Sequence, residues 1–321
     1  MKLATLFGAA LLATISWAQS AGHATPSASL PTILTDTFNY NLNTPSIIDI
    51  NELVAGCPKR DCIPSIDNPK FDSILNTDYL QEDDLLLVVE HDGQTKAYPH
   101  RILNRREVVN DRFGDTPIVV TYCPLCASGV AFVAQVDGLV TEFGVSGLLH
   151  NSDLVLYDRR TNHLWGQITG EAIIGPRSGE KLQRVTTRTL PWNKLKASLP
   201  RTQILQPDSR DKAALNNPSQ YDNYAKNERL YFPVSLKDAR RKPKQLVYGI
   251  DVDGRALAVT ENYLQRNKAF NQTVGNYTVR LLRRQDGSVV AYNMDTRQTI
   301  PVTRLYWFAW YAFHPRTELL E

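Results

Sequence analysis

The chain has 321 residues, 36 of them Lys or Arg and 33 Asp or Glu, for a formal net charge of +3. A chain of this length can bury a sizeable core, as one large domain or two lobes. The near balance of charge excludes nucleic-acid binding through bulk positive potential; the basic clusters RRKPK and RRQDG read as solvated turns, with no aromatic-interleaved basic stripe beside them.

Residues 1–20 read as a secretory signal peptide. Lys2 precedes an apolar run from Leu3 to Ser16, and Ala18-Gln19-Ser20 fits a small-x-small cleavage site. The run is too short to span a bilayer, so no transmembrane anchor is expected after signal removal. No Cys follows it, which excludes a lipoprotein anchor. The expected localisation is export, to the periplasm or the extracellular space. Residues 21–45 are expected to form a flexible N-terminal segment.

Four cysteines follow: Cys57, Cys62, Cys123 and Cys126. An even count in an oxidising compartment favours disulfides. Four cysteines allow three connectivities, of which pairing within each cluster is the simplest. Cys57 and Cys62 lie in a loop rich in Pro, Asp and Asn, AGCPKRDCIPSIDNPKF. They are candidates for a structural, loop-closing disulfide, contributing roughly 2–3 kcal/mol.

Asp-Gly pairs at Asp92-Gly93, Asp137-Gly138, Asp253-Gly254 and Asp286-Gly287 separate apolar, β-branched runs. Asp-Gly suits the positive φ of tight hairpin turns, so these predict antiparallel strands. Two of the hairpins belong to an internal repeat. Displacing the chain so that Asp92 falls on Asp253 brings Ala97 onto Ala258, Leu103 onto Leu264, Asn110 onto Asn271 and Gly114 onto Gly275, without a gap. Each copy reads as hairpin, short helix and strand. The division expected is a first repeat over 46–200, a connector over 201–235, and a second, degenerate repeat with an aromatic C-terminus over 236–321.

In the first copy, a strand ending at Tyr122 enters Cys-Pro-Leu-Cys and leaves as another strand; in the second copy the same place reads Arg-Gln-Asp-Gly-Ser. The backbone therefore does not need the cysteines in order to turn. Three chemistries fit Cys123 and Cys126. A thioredoxin-like redox pair needs a helix after the second Cys, and the sequence there is strand-like. A metal knuckle would suit Cu(I) or Zn(II), with further ligands from His or other groups. A tight structural disulfide is the third.

The segment 143–176 threads polar side chains through strand-like apolar positions. Ser146, His150, Asn151, Asp153, Tyr157, Asp158, Arg159, Trp165, Gln167 and Glu171 are candidates to line a ligand pocket, or alternatively form a polar network between lobes. TLPWNKLKASLP predicts a short helix with Pro191 at its start. The terminal run LYWFAWYAFHPRTELL is expected to be a core-closing strand, with Trp307 and Trp310 as alternative groove-lining residues.

These stretches together resemble the family known as domain of unknown function 3179. The resemblance rests on IPSIDNPKF, YPHRILNRREVVND, VTYCPLC, FGVSGLLHNSDLVLYDR, LWGQITGEAI and WFAWYAFHPRTELL, which span nearly all of the chain after the signal. It implies no particular reaction. The family usually carries Trp-His-Glu where this chain has Arg105-Arg106-Glu107, Gly in place of Cys57 and Cys62, and Gly in place of Ala127. A site shared by the family would therefore centre on Cys123 and Cys126 and lack that His here.

The expectation is a mainly β protein of antiparallel, hairpin-rich sheets with short helices and an internal duplication. Its function is expected to be binding of a soft metal, Cu(I) or Zn(II), or of a small ligand or protein partner, at the Cys123–Cys126 turn. The alternatives are a thiol-disulfide oxidoreductase, or a structural disulfide in a non-catalytic interaction module.

Overall fold

In the computed structural model, residues 30–215, 217, 219 and 221–321 are described. The expected export signal, residues 1–20, lies outside them. The chain is mostly β, as expected, with small antiparallel sheets in a propeller-like ring joined by short helices.

Four of the sheets express the duplication. The displacement that lays Asp92 on Asp253 also lays strand Leu85–His91 on Leu246–Val252, Gln94–Pro99 on Arg255–Thr260, and Val108–Phe113 on Ala269–Val274. Helix His100–Arg106 matches Glu261–Arg266 in the same way. Each copy then builds a sheet around its first hairpin. Thr187–Pro191 pairs antiparallel with one edge of the first hairpin, and Gln203–Leu205 pairs parallel with the other. In the second copy Thr303–Tyr306 and Glu318–Leu320 do the same. The Asp-Gly turns form as the sequence requires, with φ of 48° and 71° at Asp92 and Gly93 and 50° and 74° at Asp253 and Gly254.

The copies differ by an insertion. In the first, residues between Ser128–Val133 and Arg184–Val185, joined at one edge by the upstream strand Leu53–Ala55, build a fifth sheet, ordered Leu53–Ala55, Phe143–His150, Asp153–Asp158, Leu164–Gly166, Ala172–Ile174. Its presence changes burial. Thr116–Cys123 is buried along nearly its whole length, whereas its counterpart Tyr277–Arg283 is largely exposed on alternate residues. Asn110 joins the insertion to the first copy, donating to the Phe143 carbonyl at 2.9 Å and accepting the Phe143 N–H at 2.8 Å. Its counterpart Asn271 is exposed.

Within the described part of the N-terminal segment, Thr32–Asp36 is a helix, and Ile33, Leu34 and Phe38 are buried against the fifth sheet. The stretch 201–235 carries the paired strand Gln203–Leu205 and helices Ser209–Ala214 and Asp222–Ala225. One local expectation is corrected. The C-terminal aromatic run, expected to be a strand, is the helix Trp307–Phe313 followed by the short strand Glu318–Leu320. A short, continuously apolar run has no period that separates strand from helix. Here the slot decides: it follows an edge strand just as helix Trp192–Ser198 does in the first copy.

Trp310 of that helix lies flat on the strand at Gly249, where a Cβ would meet the indole at 2.3 Å. Replacing Gly249→Ala should therefore destabilise the fold by about 1–3 kcal/mol through overpacking, read as a lower midpoint in urea unfolding. An unchanged midpoint would mean that Trp310 moves aside freely.

Candidate functional site

The Cys-Pro-Leu-Cys turn occupies the place that Arg284 to Ser288 fills in the second copy. The Cys126 N–H donates to the Cys123 carbonyl at 3.2 Å, and the Gly287 N–H to the Arg284 carbonyl at 3.0 Å. A turn with an equivalent i to i+3 hydrogen bond thus forms with and without cysteines, with the left-handed residue at Ala127 in the first copy and Gly287 in the second. Both cysteines are free thiols and buried, Cys123 at 2% exposure and Cys126 at 0%.

A second turn presses against the first. Strands Phe143–His150 and Asp153–Asp158 are joined by Asn151 and Ser152, with φ of 53° and 63°. Two successive left-handed residues make the tight turn that matches strand twist. This geometry aims the Ser152 carbonyl at the thiols, where it accepts from Cys126 Sγ at 3.4 Å and Cys123 Sγ at 3.7 Å. It also brings in Asp153. One carboxylate oxygen of Asp153, one sulfur from Cys123 and one from Cys126 lie within 4.8 Å of one another, all buried. Asp153 Oδ2 accepts the Ile168 N–H at 3.0 Å, and Oδ1 is buried without a hydrogen-bond partner among the described residues.

Glu107 adds a fourth acid. It caps helix His100–Arg106 in a left-handed conformation, φ 57°, and its side chain is buried. Burial, reinforced by the charge of Asp153, pushes Glu107 up to about 8. Burial likewise pushes Asp153 up to about 7, against the opposing pull of the Ile168 N–H and the two thiols. Both thiols are raised too, first by burial. Four acids thus crowd a dry space that disfavours their charged forms. Tyr224 closes it from the 201–235 stretch: its ring is buried, its hydroxyl has no partner among the described residues, and its ionisation is opposed by both cysteines.

The other sequence candidates are distributed around this cluster. Asn151 accepts from the Ser235 N–H and hydroxyl at 2.7 and 2.8 Å, and Ser152 Oγ donates to the Phe232 carbonyl at 2.8 Å, so this turn also pins the strap 232–235. Gln167 ties Thr121 to Ser128 across the base of the cysteine turn. Ser146 is used up inside a β-bulge, donating to the Val155 carbonyl at 2.6 Å. Asp158 accepts from Thr161 and Trp165, and Arg159 pairs with Asp67 and Glu142. Tyr157 donates to Asp61 in the loop closed by the Cys57–Cys62 disulfide, whose Cα atoms are 6.5 Å apart. His150 faces Glu52 at 3.0 Å, and Glu171 pairs with Lys181 at 2.7 Å on a separate groove. Trp310 lines that groove, while Trp307 is packed in the same core as the cysteines.

Sequence reading missed Glu107 and Tyr224 as members of the site. Glu107 stands in a basic stretch and looks like a solvated helix end. Arg106, before it, turns away to a buried ion pair with Asp211 at 2.8 Å and a second contact with Asp208 at 2.7 Å. Arg106 therefore anchors helix Ser209–Ala214.

Because Asp153 and Glu107 carry raised values in the folded state, folding takes up protons as pH rises above their ordinary range. Their contribution to stability is complete below about pH 4 and is lost as pH climbs through about 7 and 8. The metal-free protein should accordingly lose thermal stability between pH 5 and pH 8 (about one pKa interval either side of neutrality). Asp153→Asn should flatten that slope. A slope unaffected by Asp153→Asn would remove Asp153 from the cluster.

No match to the chain was found among curated proteins or among solved structures. A family model described as "Protein of unknown function (DUF3179)" matches residues 60–302, which include both turns and all four acids of the cluster. The chain belongs to the DUF3179 family.

Proposed function

We propose that this is an exported protein that holds one metal ion, Zn(II), on Cys123, Cys126 and Asp153. The observation that carries the reading is the buried set Cys123, Cys126 and Asp153, whose donor atoms lie within 4.8 Å of one another, with no N–H or O–H group on Asp153 Oδ1 among the described residues. A buried polar atom left unpaired costs about 1–3 kcal/mol. A cation would provide the missing partner and also offset the crowding of four acids.

The donor set favours Zn(II) over Cu(I). Cu(I) is satisfied by sulfur alone, whereas Zn(II) accepts thiolate and carboxylate together. Donor atoms within 4.8 Å of one another need only a small contraction to surround an ion with bonds of about 2.0–2.3 Å. A site closed over by Tyr224 and the strap has the character of a structural or sequestering centre rather than an open hydrolytic one. The redox alternative fits less well: a thiol-disulfide enzyme needs an exposed thiol with a lowered pKa, and here burial raises both. Export rests on the apolar run Leu3 to Ser16 and the small-x-small site after it.

Elemental analysis of the full chain, purified without chelators, should give one zinc per chain, and Cys123→Ser/Cys126→Ser should give none. Replacing zinc by Co(II) should produce a thiolate-to-cobalt charge-transfer band that the double variant lacks. Protein that is metal-free and has a Cys123–Cys126 disulfide by intact mass would overturn the proposal.

Binding must displace protons from thiols, and from Asp153 where its carboxyl is protonated, so apparent zinc affinity should rise with pH. Competition against a chromogenic chelator at pH 6, 7 and 8 (spanning about the value of Asp153) checks this. A flat profile would mean that the ligands are already ionised.

A further inference from the structure

Away from the thiols, a groove of about 410 Å³ opens where several parts of the ring converge. Its walls come from the loop at Ile168–Glu171, the approach to strand Arg184–Val185, the Asp253-Gly254 hairpin of the second copy, and the end of helix Trp307–Phe313. The volume lies within the range of small-molecule sites, and junctions between elements are where such sites form.

The charges in this groove are unevenly matched. Each of its acids has a partner: Glu171 pairs with Lys181 at 2.7 Å, Asp251 accepts the Gly254 N–H at 2.9 Å and lies 3.7 Å from His314, and Glu318 accepts from Gln272 at 3.4 Å. None of its three guanidinium groups makes a direct ion pair among the described residues, although the charge of Asp251 acts on Arg184. Arg184 donates only to neutral oxygens, Thr303 Oγ1 at 2.5 Å and the Ile168 carbonyl at 3.4 Å. Among the described residues, Arg255 and Arg316 have no ion pair and no side-chain hydrogen bond. Arg184 is the innermost of the three, and burial pulls its pKa down to about 10. A guanidinium drawn out of water with no direct ion pair, and only the more distant charge of Asp251 to offset it, is unfavourable, and its planar fork is shaped to take two oxygens of one anion. The lining also includes the apolar Pro301, Phe313 and Pro315.

We propose that this groove binds a small molecule bearing a carboxylate or a phosphate, its oxyanion on Arg184, Arg255 and Arg316 and its apolar part against Phe313 and the two prolines. The groove is separate from the thiol cluster, although one residue bridges them: the Ile168 carbonyl accepts from Arg184, and its N–H donates to Asp153.

Titration calorimetry on the full chain with benzoate and with phenyl phosphate tests this, with benzyl alcohol as the uncharged control. At least one anion should bind saturably, and benzyl alcohol should not. The stronger of the two identifies the oxyanion class. Arg255 and Arg316 are exposed, so Arg255→Gln/Arg316→Gln should keep the wild-type melting temperature while weakening binding about a hundredfold or more. Arg184→Gln should abolish it. Failure of both anions to bind, or binding undiminished in the double variant, would overturn the proposal.

Discussion

The Asn151–Ser152 turn drives a backbone carbonyl toward two thiols and sets an unpaired carboxylate oxygen beside them, where water is excluded. Four acids meet there, and the raised values of Cys123, Cys126, Asp153 and Glu107 share one cause, the loss of solvent from groups whose charged forms need it. The remaining features of the first copy are arranged around that contact. Asn110 fastens the inserted sheet to it, Gln167 ties the base of the cysteine turn, and the strap 232–235 covers the top.

Duplication explains how such a site could arise without disturbing the fold. The second copy also turns at this place, through Arg284 to Ser288, and makes an equivalent backbone hydrogen bond. Cysteine side chains were therefore free to take on chemistry at a position the backbone had already solved. What the second copy lacks is the inserted sheet. Without it, the strand matching Thr116–Cys123 stays half exposed, and a pair of thiols placed there would meet solvent rather than a carboxylate. The insertion, more than the turn, makes the site.

Much of this architecture was legible from residues. Asp92-Gly93 and Asp253-Gly254 announced hairpins because few other pairs accept two positive φ angles cheaply. The ungapped repeat predicted equivalent strands, and Cys57 and Cys62 announced their own short loop. The helix Trp307–Phe313 was not legible, since seven nearly continuous aromatic and small residues satisfy either period equally. Nor was the packing of Ile33, Leu34 and Phe38, because a few apolar residues in a polar tether declare no partner.

The sequence by itself determined the β class, the duplication, the short disulfide loop and the identity of the two thiols, all properties carried by neighbouring residues or by a constant spacing. Only the tertiary structure decided that Asp153 and Glu107 join those thiols and that Arg106 does not. It also decided that Arg184, Arg255 and Arg316 share one groove. Those groups are far apart in sequence and lie on different sheets and turns. Their pairing depends on where the inserted sheet packs, and a one-dimensional pattern of side chains carries no distance between elements that meet only when the core closes.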